Sequence, residues 1–190
     1  MSAQSRKPVQ PLAITVQYAS ARRGIPHAAR LRAWALAART AVKQLRRKSP
    51  TEVLTIRIVN ARESQRLNRV WRGKDQPTNV LSFPSGASPP DQSEKQLGDL
   101  VVCASVVRKE ARDQGKLLES HWAHMVVHGV LHLLGYDHMN PRDAGVMERA
   151  EIEILRRFGY SVLTNEVALL RWLTTNRALQ ENGCAASRSR

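Results

Sequence analysis

Residues 12–18, LAITVQY, alternate apolar and polar side chains, which predicts a strand because successive side chains of an extended chain point to opposite faces. After a turn holding Arg22, Arg23 and Gly24, Pro26 suits the first turn of a helix that runs to about residue 47. Leu31, Trp34, Ala38, Val42 and Leu45 share its apolar stripe, and Arg32, Arg39, Lys43, Arg46 and Arg47 form a cationic stripe. Ser49 and Pro50 break the helix, and residues 53–59, VLTIRIV, alternate again as a strand. A short helix over 61–70 and a short strand over 80–83 follow. Residues 85–96, SGASPPDQSEKQ, read as a long polar loop, residues 97–104 as a strand, and residues 105–114 as a helix. The run 121–134, HWAHMVVHGVLHLL, lacks proline and is apolar nearly all round, as in a helix buried on most sides. A last helix over about 142–158 turns Met147, Ile152 and Leu155 inward; its Glu148, Glu151 and Glu153 read as solvated, Glu148 alone being within reach of the histidines.

At 190 residues the chain is one domain, long enough to bury a sizeable core. Its two cysteines, Cys103 and Cys184, make no disulfide framework, which fits a reducing compartment and a cytoplasmic protein. MSAQSRKPVQ has no apolar stretch of the secretory kind, and no apolar run is long enough to span a bilayer, so no membrane partner is expected. The net charge of +14 is uneven: residues 1–51 hold eleven Lys and Arg and no Asp or Glu. Such asymmetry points to an anionic partner, although a merely solvated basic surface gives the same pattern. With no acidic neighbours, the stripe of Arg32, Arg39, Lys43, Arg46 and Arg47 is the candidate phosphate-facing surface.

The chemistry concentrates in HGVLHLLGYDH, residues 128–138. His128 and His132 are four apart, so on a helix their imidazoles share a face. Gly135 can take the left-handed conformation that ends a helix and swings His138 towards the pair. Three neutral imidazoles with an open fourth position make a catalytic zinc site, although nickel or copper also accepts such ligands. The spacing is that of the metzincin metalloproteases, H-E-x-x-H-x-x-G-x-x-H, except that Gly129 stands where their general-base glutamate belongs. The ligands are kept and the proteolytic base is missing, which argues for another hydrolytic substrate or for a base placed elsewhere; charge alone decides little, but beside a hydrolytic metal site it favours nucleic acid. His121 and His124 read as structural, with His124 or Asp137 as outer partners of the ligands. In the turn Arg72-Gly73-Lys74-Asp75 a guanidinium beside a glycine has open access to an anion, as it would in any surface turn.

Three segments taken together, LNRVWRGKDQPTNVLSFP (residues 67–84), LGDLVV (97–102) and HWAHMVVHGVLHLLGYDH (121–138), resemble the bacterial YbeY proteins in order and spacing. The likeness runs from about Leu12 to Tyr160. It implies an α+β fold: a single compact domain over residues 11–162, with a small mixed β-sheet packed with helices and a zincin-like metal helix at its centre. Residues 1–10 are then a flexible start and 163–190 an extension, partly disordered. The resemblance implies one zinc ion per chain on His128, His132 and His138, and a functional role for Arg72, so that Arg72 and His128 carry the catalysis. It implies a single-strand-specific endoribonuclease that matures ribosomal RNA at the small-subunit 3′ end and serves ribosome quality control, with RNA and the ribosome or its small subunit as partners. Two rivals remain. A zinc metalloprotease or amidohydrolase would need a base other than Gly129, and a non-catalytic zinc-containing ribosome-binding protein would bind RNA without turnover.

Overall fold

A computed structural model describes residues 12–42, 51–86, 94–136 and 141–160. Along the chain run β1 (Leu12–Tyr18), α1 (Ala28–Ala41), β2 (Thr51–Val59), α2 (Ala61–Arg72), β3 (Val80–Pro84), β4 (Glu94–Cys103), α3 (Ala104–Asp113), α4 (Leu118–Leu133) and α5 (Pro141–Arg156). The strands form one sheet in the order β1-β2-β4-β3. β1, β2 and β4 are parallel, and the edge strand β3 is antiparallel to β4. The fold is thus α+β with a small mixed sheet, as expected. The expected flexible start and C-terminal extension lie outside the described residues.

Alternation decides which face of the sheet each helix covers. Leu54, Ile56, Ile58, Leu100, Val102 and Val80 point to one side, where they meet Leu31, Trp34 and Ala38 of α1 and Trp122, Val126 and Val130 of α4. Leu81, Val101, Cys103 and Val59 point to the other, against Leu67 of α2. α4 is buried on almost every side, between the sheet, α1, α3 and α5, which is why its sequence shows no polar face.

Three expectations need correction. The first helix closes at Ala41, where Val42 turns extended at φ −82° and ψ 111°; Lys43, Arg46 and Arg47 lie outside the described residues. β4 begins at Glu94, inside the expected polar loop, because EKQ pairs in parallel with Thr51–Val53 of β2. The inward face of α5 carries Met147, Ile154 and Leu155 in place of Ile152, which is only half-buried.

Candidate metal centre

α4 can approach the sheet closely because Gly129 has no side chain. A Cβ there would sit 2.2 Å from Leu100 Cδ1, 3.1 Å from Val80 Cγ2 and 3.2 Å from Ser82 Oγ. The Ser82 hydroxyl uses the gap to donate to the Gly129 carbonyl at 3.0 Å. The position that carries the metzincin base therefore faces packed sheet, with no room for a glutamate. His128 and His132 lie beside this seam, both half-buried.

Each ring has one nitrogen occupied by an acceptor. His128 Nδ1 is 2.7 Å from Glu151 Oε1. Burial pushes the Glu151 carboxyl up, but the hydrogen bonds that it accepts from His124 and His128 outweigh this and hold it below the usual carboxylate range. At neutral pH it is an anion and can only accept, so His128 Nδ1 carries the proton. His132 Nδ1 is 3.0 Å from the Tyr136 carbonyl, which likewise can only accept. Gly135 makes that contact possible. At φ +87° it ends α4, with Gly135 N–H donating to His132 O and Tyr136 N–H to Leu131 O, both at 3.0 Å, and so returns the Tyr136 carbonyl to the helix.

With both Nδ1 positions protonated, the two Nε2 lone pairs face each other at 3.1 Å. That is repulsive for neutral rings unless a cation lies between them. Two nitrogen ligands ~2.0–2.1 Å from one tetrahedral ion stand about 3.3–3.4 Å apart, so the pair is spaced as two corners of such a site. The residues present thus fit a metal ion. His138, the third expected ligand, lies outside the described residues.

Glu151 is the residue that the sequence reading placed wrongly. It is not solvated: it reaches from α5 to both His128 and, at 3.3 Å, His124 Nε2. Its signal was its place four residues after Met147 and three before Ile154, a lone carboxylate within an apolar stripe. His124, His128 and Glu151 also form a group whose ligand atoms all lie within 4.8 Å of one another and that could itself hold a metal ion. One turn back, His121 is buried with its Nε2 2.9 Å from Glu110 Oε2, and Glu110 accepts from Asn79 Nδ2 at 3.2 Å. That network ties the entrance of β3 to α3 and α4, in keeping with a structural role for His121.

Arg72 ends α2 and is exposed. The turn after it is fixed from the helix. Gly73, at φ +68°, donates to Arg69 O at 3.1 Å, Asn68 Nδ2 donates to Gln76 O at 2.7 Å, and Ser64 Oγ donates to Thr78 O at 2.8 Å. Asn60 caps the other end by accepting from Glu63 N–H at 2.9 Å.

The cationic stripe of α1 does not survive as one surface. Arg39 is only 7% exposed, and its guanidinium is paired with the equally buried Glu52 of β2. It lies four residues from Ala35 on the core-facing side, so it is a buried ion pair and not a phosphate contact. Arg32 is exposed and donates from Nε to the Ile14 carbonyl at 3.0 Å.

Among the described residues, no helix is long and apolar enough to cross a membrane. The solution structure of a Thermotoga maritima protein, TM1509, is similar to this chain at 22% identity and a TM-score of 0.48, covering 76% of this chain and 91% of its own. The family model described as Endoribonuclease YbeY matches residues 17–159, most of the chain and all of the elements around the histidines except the start of β1. This chain belongs to the YbeY endoribonuclease family.

Proposed function

We propose that this protein is a zinc-dependent, single-strand-specific endoribonuclease that matures ribosomal RNA at the small-subunit 3′ end and serves ribosome quality control in the cytoplasm, with the ribosome or its small subunit as partner. Family membership supports endoribonuclease activity in ribosomal RNA maturation. The observation that carries the metal is the pair of Nε2 atoms at 3.1 Å, each on a ring whose other nitrogen holds its proton on a fixed acceptor. His128 and His132 would hold the ion, with His138 as the third ligand. Bound there, zinc would supply Lewis acidity and make hydroxide available near neutral pH.

The chain's own groups do the rest. Glu151 holds the His128 ring and raises its basicity by taking the Nδ1 proton in a hydrogen bond. Arg72 pairs with the non-bridging phosphoryl oxygens and offsets the charge that grows on them, which is typically worth a few kcal/mol. The buried thiol of Cys103 is consistent with a reducing compartment.

The protease alternative needs a base beside the ligands, and the Gly129 position has no space for one. The test is cleavage of single-stranded RNA and of a peptide panel by one preparation whose bound metal is measured by elemental analysis. RNA cleavage that falls together with metal content in His128→Ala is expected. Full RNA cleavage by a metal-free preparation would refute the zinc scheme, and peptide cleavage without RNA cleavage would refute the nuclease.

A further inference from the structure

α2 buries polar side chains where a helix lying on a sheet ordinarily buries apolar ones. Its two buried residues are Ser64 and Asn68, each 2% exposed. Burying a hydroxyl or an amide costs free energy unless it is hydrogen-bonded. Both side chains bond to the irregular stretch that follows the helix, residues 73–79. Ser64 Oγ donates to the Thr78 carbonyl at 2.8 Å and accepts from the Thr78 N–H at 3.0 Å, so the hydroxyl is used twice. Asn68 Nδ2 donates to the Gln76 carbonyl at 2.7 Å. The half-buried Gln65 donates from Nε2 to the Asp75 carbonyl and to Asp75 Oδ1, both at 3.2 Å. The chain thus doubles back along α2 and is gripped at 75, 76 and 78 by the helix that it has just left. The tip of the turn, residues 73–76, is exposed. Its far end is tied to α4: Asn79 Oδ1 accepts from Val80 N–H at 2.7 Å, and Asn79 Nδ2 donates to Glu110, whose other partner is His121.

Stability alone does not call for this arrangement. Asn68 Oδ1 is buried with no hydrogen-bond partner, and replacing both members of a buried polar pair by apolar groups of the same shape can be nearly neutral. What the bonds supply is a single conformation for a turn whose tip stays open to solvent. Arg72 is the residue at which α2 passes into that turn. Helix ends fray, and a guanidinium on a frayed end has no fixed place. We propose that Ser64, Gln65 and Asn68 are positioning residues for Arg72: by fixing residues 75–78 they set the direction in which its guanidinium leaves the helix. This inference rests on the reading of Arg72 as the group that meets the scissile phosphate, and it deepens that reading, since a misplacement of about 1 Å can cost 10²-fold in rate.

The experiment is a double-mutant cycle in the full-length, zinc-loaded protein, read as the single-turnover rate of cleavage of single-stranded RNA by saturating enzyme. Asn68→Ala is expected to slow cleavage about tenfold, within the range for a misplaced group. Zinc content and affinity for a 2′-O-methylated strand should not change. Asn68→Asp, which keeps the shape but has no donor for the Gln76 carbonyl, should be as slow. In the Arg72→Ala background neither change should slow cleavage further, because a residue that acts through Arg72 then has nothing left to position. Gln65→Ala, at a half-buried site, should show the same pattern more weakly, and it decides the matter if the Asn68 variants do not fold. Wild-type rates in Asn68→Ala and Gln65→Ala overturn the proposal. So does equal slowing with and without Arg72, the mark of a merely structural role. If Arg72→Ala itself cleaves at the wild-type rate, this inference falls together with the arginine's role and the nuclease reading stands. A zinc-loaded wild-type protein that cleaves no RNA removes the nuclease reading as well.

Discussion

Glu151 shows how much can turn on one carboxylate. Replacing it with Gln keeps the shape but removes the charge that anchors His128 Nδ1–H. Loss of such an outer partner typically costs 10–100-fold in metal affinity, so Glu151→Gln should lower zinc affinity by that factor in a chelator competition while the fold stays intact. Arg72→Ala should behave oppositely, keeping its metal yet losing about 10²-fold in single-turnover RNA cleavage, the scale seen when one preorganised donor is removed. Arg39 belongs to a third class. Because its guanidinium is buried on Glu52, Arg39→Met strands a buried carboxylate and should destabilise the protein by roughly 3 kcal/mol in urea unfolding. The salt slope of RNA binding should not change. The approach of the His128 and His132 rings was legible in the sequence because imidazoles four apart on a helix share a face. Glu151 and Arg39 were not, since a charged residue on an amphipathic helix reads as solvated until the partner across the core is known.

At the scale of elements, α4 approaches the sheet closely at Gly129. Gly129→Ala gains up to ~1 kcal/mol of helix propensity, but its methyl would overlap the fully buried Leu100 at 2.2 Å. Overpacking of this kind costs about 1–3 kcal/mol, so a net loss of stability is expected in thermal melts. Gly129→Glu, which restores the metzincin pattern, should lose about 3 kcal/mol or more and gain no peptidase activity. Most elements were readable from period and punctuation: LAITVQY, VLTIRIV and the run through the histidines each admit one regular structure. The opening of β4 was hidden because Glu94, Lys95 and Gln96 are poor strand formers, held in register only by their parallel partner β2. The exposed Arg62, Arg66 and Arg69 of α2 drew no notice for a different reason. Net charge drew notice to residues 1–51, whereas α2 draws its surface from four arginines on one short helix.

For the whole molecule, the main core cluster is built from apolar side chains. Trp34, Leu54, Ile56, Ile58, Leu100, Trp122 and Leu131 are buried without any contribution from the histidines. Stripping the ion should therefore lower the melting temperature without unfolding the chain at 25 °C. An ion present at a thousand times its dissociation constant contributes about 4 kcal/mol. For a domain of this size that is a loss of roughly 10 °C, readable by scanning calorimetry with retained far-ultraviolet dichroism. Collapse on chelation would instead mark the ion as structural. The strand order could not be read from the sequence, because a parallel pairing between β1, β2 and β4 leaves no local turn to announce it.

One contact joins these scales. Glu151 belongs to α5, whereas the imidazoles it steadies belong to α4, so seating α5 and loading the ion share a free energy. By reciprocity, whatever factor a docked α5 adds to ion affinity, the ion adds to the closed population of α5. Amide protons of α5 should therefore exchange with deuterium more slowly in loaded protein than in stripped protein, while those of β2 exchange alike in both.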